Sequence, residues 1–362
     1  MLYHSVLISL LIVLAPATSA EVIAQNNPVQ IAPIDSQGNN LDRGFKLVIE
    51  ARELQKRGEF SQALQLFQQA IVIFQKEDDL YSEARTHNFI GNVYLELKES
   101  DKAIATFQEA FKIISTIQPK ESKSNLQVRT DESLILQNLG FAFNQANNWQ
   151  KSIEIYQQAL ERSRTIKDYS REATILNNIG QIYVAIGKFS RGIEFLQQAL
   201  VVRQSNNDLK NTGGVLLNIG YAYRRLGQFE KALDFYQQAQ TVVNKSGDRK
   251  VETSIINNIA GINRSMGKYS QALTQYKASL ELSQKLNLSR QAAITLSNIG
   301  AVYNELGQSD NALEYFEQAL SQIQKLGDRQ SESVFLSNIG LIYDNKGKRE
   351  QALDYYTKAL HI

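Results

Sequence analysis

Six asparagines fall at a single interval in this chain of 362 residues: Asn138, Asn178, Asn218, Asn258, Asn298 and Asn338, each forty residues after the last. A primary amide carries two N–H donors and an acceptor on one short arm. It can therefore pair with both the C=O and the N–H of a peptide unit in an extended ligand, whatever side chains that ligand bears. Neighbouring positions vary instead. One residue earlier stand Gln137, Asn177, Leu217, Asn257, Ser297 and Ser337, and six residues later Asn144, Val184, Arg224, Arg264, Asn304 and Asp344. A row that stays amide while its neighbours drift weakens simple copying as the explanation. Two readings are open: contact with a ligand, or a bond to the neighbouring repeat.

The varying positions are where selectivity would reside. Arg224, Arg225 and Arg264 cluster in the middle units, Glu305 and Asp344 lie further along, and Tyr221 belongs to the same predicted inner wall. A basic centre with an acidic end suits a ligand carrying an acidic group near its middle. Ordinary solvated charge, and for Tyr221 ordinary packing, are the open alternatives.

Other chemistry is poorly supplied. The chain holds no cysteine, which removes disulfides, thiolate zinc sites and cysteine nucleophiles, and only three histidines, His4, His87 and His361. No glycine-rich phosphate loop and no metalloprotease helix motif is present. Acidic pairs such as Asp78-Asp79 fall where turns are expected and suit helix capping. A net charge of +2 gives no general attraction to nucleic acid. The expectation is a non-catalytic protein with no cofactor and no metal, whose partner is a protein or peptide.

The elements that position these residues follow from the period. Eight units align on a small residue: Ala51, Gly91, Gly140, Gly180, Gly220, Ala260, Gly300 and Gly340. Glycine within a helix costs roughly 1 kcal/mol against alanine, so six of them call for a close approach of two helices. Twelve residues on comes a second small position (Ala63 to Ala352), and seven beyond that a third (Ala70 to Ala359). Large residues alternate with them, among them Tyr223 and Tyr236, as interlocking helix surfaces require. Gly58, Gly187, Gly227, Gly267, Gly307 and Gly347 fall between paired helices, where a left-handed residue ends a helix. On a wheel at about 100° per residue, the asparagines land almost opposite the apolar face.

The order Leu296, Ile299, Gly300, Tyr303, Ala312, Phe316, Ala319 resembles the tetratricopeptide repeat. The unit here is forty residues rather than 34 and lacks the terminal proline, and so is similar to the repeats of kinesin light chains and of Gram-positive peptide-pheromone receptors. The resemblance implies an all-α, right-handed α-solenoid superhelix. It also implies that first helices line a concave wall and that asparagines at this position grip ligand backbone.

Val6 to Ala17 is a short apolar run followed by Thr18-Ser19-Ala20, which reads as a secretory signal and predicts an extracytoplasmic protein, periplasmic or secreted. An uncleaved N-terminal anchor or a buried N-terminal helix is the alternative; once the signal is removed, no membrane span is expected. The expected organisation is a signal peptide over 1–20, a flexible leader over 21–43 and an array over 44–362. Its units lie near 44–83, 84–132, 133–172, 173–212, 213–252, 253–292, 293–332 and 333–362. Nine extra residues between Gly91 and Gly140 read as a loop near Gln118–Asn125, either a tolerated surface insertion or a loop that folds over the groove. Leu353, Tyr356, Leu360 and Ile362 are expected to form an uncapped C-terminal edge that self-associates, meets a partner or frays.

The function expected from this is a protein–protein interaction scaffold with an extended segment laid along the concave wall. The alternatives are a peptide-gated sensor, and an assembly subunit that uses its ends and convex face.

Overall fold

The computed structural model describes residues 40–118 and 122–362, the side chains of 122–124 excepted. The expected signal peptide and all but the last four residues of the expected leader lie outside the described residues. Helix begins at Asn40, four residues before the expected start of the array.

Among the described residues there are sixteen helices and no strand. They are α1 (Asn40–Lys56), α2 (Phe60–Lys76), α3 (Leu80–Glu96), α4 (Ser100–Thr116), α5 (Ser122–Gln145), α6 (Trp149–Thr165), α7 (Tyr169–Ala185) and α8 (Phe189–Ser205). After these come α9 (Leu209–Arg225), α10 (Phe229–Ser246), α11 (Arg249–Ser265), α12 (Tyr269–Lys285), α13 (Ser289–Glu305), α14 (Ser309–Lys325), α15 (Arg329–Asn345) and α16 (Arg349–Leu360). Two compact units result, one closing at Asn207 with α1–α8 and one opening at Asp208 with α9–α16. Each holds four helix pairs in an α-solenoid arrangement. Within a unit every helix packs on its neighbours in sequence, and first helices also meet one another: α1 with α3, α3 with α5, α9 with α11, α11 with α13.

Helix ends are set by local chemistry. Gly227 takes a left-handed φ of 73° past the end of α9. That turn lets the Gln228 N–H reach back to the Tyr223 carbonyl at 3.0 Å, satisfying a carbonyl the helix would otherwise orphan. Starts are capped by aspartates: Asp79, Asp168 and Asp328 each accept from a backbone N–H three residues on, at 3.0, 3.0 and 3.2 Å. Of the acidic pair noted in the sequence, Asp79 is thus a cap, and Asp78 holds the left-handed turn before it.

The seam inside each pair explains the helical glycines. A Cβ built on Gly91 would stand 2.5 Å from the Phe107 ring, and one on Gly220 would stand 2.5 Å from the Tyr236 ring. Both aromatic residues are fully buried. Burying such a side chain contributes roughly 1.5–3 kcal/mol, more than the propensity cost of the glycine beneath it. A second ring contact brackets the seam: Tyr223 stacks on Phe235 and Tyr303 on Tyr315, with centroids 5.4 Å apart. In the third repeat the second small position is Ser152, and its hydroxyl donates to the Gly140 carbonyl at 2.7 Å.

Of the loop expected near Gln118–Asn125, residues 119–121 lie outside the described residues, and from Ser122 onward the chain is helix instead: α5 has 24 residues where α3 has 17. Among the described side chains of the added turns only Val128 is buried, against Ala84, Ala110, Ile114 and Ile135, and Leu126 stays exposed. At the C-terminal end Leu353, Tyr356, Leu360 and Ile362 are exposed, with Leu360 at 84%.

Candidate functional site

The first helices carry the polar residues singled out by the sequence, but stacking places them deeper than a single helix wheel implies. Asn138 and Asn218 are buried, at 7% and 9% exposure, while Asn178, Asn258, Asn298 and Asn338 are half-buried. A wheel describes one helix in isolation; first helices on either side bury its flanks. Several of the amides reach into the preceding repeat. Asn138 Nδ2 donates to Asn88 Oδ1 at 2.9 Å, Asn178 Nδ2 to the Tyr156 hydroxyl at 3.3 Å, and Asn298 Nδ2 to Asn257 Oδ1 at 3.4 Å. Asn258 instead donates to the Ser254 carbonyl of its own helix at 2.9 Å. Each of these bonds engages the amide nitrogen as a donor.

In the unit of residues 40–207 several charged groups of the first helices meet opposite charges. The Tyr81 hydroxyl donates to Asp131, and Arg85 Nε lies 3.4 Å from the same carboxylate. Burial and the Asp131 charge hold the Tyr81 phenol well above its ordinary range. Glu132, nearly fully buried, takes Arg129 at 2.8 Å and Arg162 at 3.1 Å on its two oxygens. Arg171 meets Asp168 at 3.0 Å and Gln137 at 3.3 Å.

The unit of residues 208–362 brings together Tyr221, Arg224, Arg225 and Arg264, all predicted from sequence. The Tyr221 ring lies between two guanidinium groups, 5.2 Å from Arg224 and 5.9 Å from Arg225, and its hydroxyl accepts from Arg225 Nη1 at 2.9 Å. Arg264 Nε pairs with Glu305 Oε1 at 3.2 Å. Burial raises the Glu305 carboxyl above its ordinary range, and Arg264 partly offsets it. Glu305 is therefore not part of a separate acidic end, as the sequence suggested: one repeat and one residue after Arg264, it neutralises that arginine in place.

Three residues at this cluster escaped sequence reasoning. Gly261 leaves space for the guanidinium of Arg224, since a Cβ there would stand 2.7 Å from Arg224 Nη1. Tyr236 and Tyr276 send their hydroxyl ends toward the arginines from the seam. Burial raises both phenols, and Arg224 opposes that for Tyr236, as Arg264 and Arg224 do for Tyr276. The signal for Gly261 was available, because it is a helical glycine outside the seam positions.

Among the described residues no group of three or more His, Asp or Glu side chains is placed to hold a metal, and no helix is long and apolar enough to cross a membrane.

Stacked helix pairs with a glycine–aromatic seam and a polar wall of first helices define a helical-repeat protein. The sequence pattern of the tetratricopeptide repeat matches residues 51–115, 131–205, 211–285 and 291–362, and the chain belongs to that family. Among solved structures it is similar to aspartyl phosphate phosphatase F from Bacillus subtilis, with a TM-score of 0.66 at 14% identity over 91% of this chain and 95% of that one. It is also similar to the apo form of RapI, with a TM-score of 0.63 at 14% identity over 79% of this chain and 99% of that one. A third is a Rap protein complexed with competence and sporulation factor, with a TM-score of 0.57 at 14% identity over 89% and 97%. At these identities the likeness is one of fold. No curated protein sequence matches the chain.

Proposed function

We propose that this chain is a non-catalytic scaffold that binds an extended peptide or protein segment along the walls formed by its first helices. The observation that carries the reading is the set of half-buried amides on the first helices of each unit, Asn178 in one and, in the 208–362 unit that also holds the arginine and tyrosine cluster, Asn258, Asn298 and Asn338. The bonds named above engage the amide nitrogens of Asn178, Asn258 and Asn298, while an amide has a second N–H and two acceptor sites to offer. Such groups pair with peptide backbone independently of ligand sequence, and the varied residues around them supply selectivity. A protein of the same fold, the Rap protein noted above, is complexed with competence and sporulation factor. That precedent makes a protein or peptide the partner of choice here.

The test is a library of random dodecapeptides with blocked termini, selected on the wild type and on the triple variant Asn218→Ala, Asn258→Ala, Asn298→Ala. Loss of most selected binders in the variant, with its helix content and cooperative melting retained, is the expected result. A variant that keeps the same binders at the same affinity overturns the groove reading. In this reading the scaffold acts outside the cytoplasm, because Val6 to Ala20 has the pattern of a cleavable signal. N-terminal sequencing of the native protein should then begin at Glu21.

A further inference from the structure

We propose that Arg224 is the receptor for a carboxylate carried by the bound peptide, an Asp or Glu side chain, within the 208–362 unit. The inference deepens the peptide-scaffold reading and rests on it. Arg224 is 8% exposed, and its Nε and Nη2 are both buried with no hydrogen-bond partner. Those two nitrogens form one edge of the guanidinium fork, the edge that takes the two oxygens of a carboxylate in parallel. An uncompensated buried cation is costly, and a native structure that keeps one calls for a counter-charge. The surroundings do not provide it. Arg225 and Arg264 add positive charge on the same wall, and the carboxylate of Glu305 is tied to Arg264 at 3.2 Å.

The neighbouring residues hold the fork in place. Gly261 gives up its side chain where Arg224 Nη1 sits, 2.7 Å from the missing Cβ. The Tyr236 hydroxyl, also buried and unpartnered, lies beside the Arg224 guanidinium, whose charge opposes the effect of burial on the phenol. It is a second donor for an incoming oxygen. Tyr221, half-exposed, stacks on the guanidinium at 5.2 Å and is the side chain an entrant would displace. A helical glycine outside the seam, a buried bidentate edge and an idle hydroxyl thus converge on one point.

Two measurements test the assignment. In the first, the arginine Nε–Hε spectrum of the full chain is recorded during titration with sodium acetate, with sodium chloride at matched ionic strength as control. The Arg224 signal, identified by its absence in Arg224→Lys, should shift saturably with acetate and not with chloride; equal response to both salts overturns the site. In the second, the blocked dodecapeptide library is selected on the wild type, Arg224→Met and Gly261→Ala. Wild-type binders should carry Asp or Glu at one fixed position, and both variants should bind them about tenfold or more weakly. Neither variant should melt below the wild type, because one removes an unpaired charge and the other improves a helix. Binders without an acidic position, or with one that Arg224→Met leaves equally tight, overturn the proposal while the scaffold reading stands. An acetate response with no peptide selected at all supports the oxyanion site but overturns the peptide reading and, with it, the carriage of the carboxylate by a peptide.

Discussion

Two arginine-rich places on the first helices differ in how their charge is met. Around Arg85, the 40–207 unit supplies Asp131 at 3.4 Å, and Tyr81 donates to the same carboxylate. Around Arg224, the 208–362 unit supplies a tyrosine face, a glycine and an idle hydroxyl, but no carboxylate. The first arrangement is complete and serves stability. The second is incomplete and costs stability, which is the usual signature of a binding position.

The largest effects should come from removing one charged side chain at each place. Asp131→Ala strands Arg85 and Tyr81 and should cost about 3 kcal/mol of unfolding free energy, the lower end for a broken buried pair because Arg85 is partly exposed. Arg224→Met should cost nothing and raise stability by about 1 kcal/mol. Urea unfolding, with hydrogen exchange to assign each change to its unit, reads both; a comparable loss in Arg224→Met would erase the contrast.

The same alanine substitution should act in opposite directions at two glycines. Gly220→Ala drives a methyl into the buried Tyr236 ring and should cost about 1–3 kcal/mol despite better helix propensity. Gly261→Ala displaces the end of the Arg224 side chain and meets the Tyr276 hydroxyl at ordinary contact distance, and should stabilise by about 0.5–1 kcal/mol. Thermal melting of the pair sharpens the comparison, and destabilisation by both would remove Gly261 from the argument.

Asn138→Ala leaves the buried Asn88 without its donor and should cost about 1–2 kcal/mol by urea titration.

The smallest effect is one of pH. Burial lowers the affinity of His87 for its proton, with Glu83 and Glu109 partly opposing. The folded state then binds fewer protons than the unfolded state, so this contribution to stability is present above the ordinary histidine range and is lost as pH falls through it. His87→Gln should flatten the pH dependence of melting of the 40–207 unit between about pH 7 and 5. An unchanged slope would show that the imidazole is free to protonate in place.

The helix pairs were legible because their determinants are local and repeated. The spacing from Gly220 to Tyr236 states the seam, and Gly227 states the turn. The Asp131–Tyr81 contact was not legible, since it depends on which faces of α3 and α5 come together fifty residues apart. The insertion misled for a different reason. Its Ser, Lys and Asn residues read as loop, yet a helix already nucleated by Val128 and Ile135 extends through solvent at little cost. The asparagines recur at one position of the first helices, as their interval states, but their depth was not legible, because stacking rather than amphipathicity sets it.

Bonds that join one repeat to the next span short stretches of chain, among them 22 residues at Asn178–Tyr156, 41 at Asn298–Asn257 and 50 at Asn138–Asn88. Little polymer must be gathered before such a contact closes, so assembly should be fast and able to start at any hairpin. Drawn out by its two ends, the molecule should give way hairpin by hairpin at low, recurring force, and rewind from whichever hairpin is left.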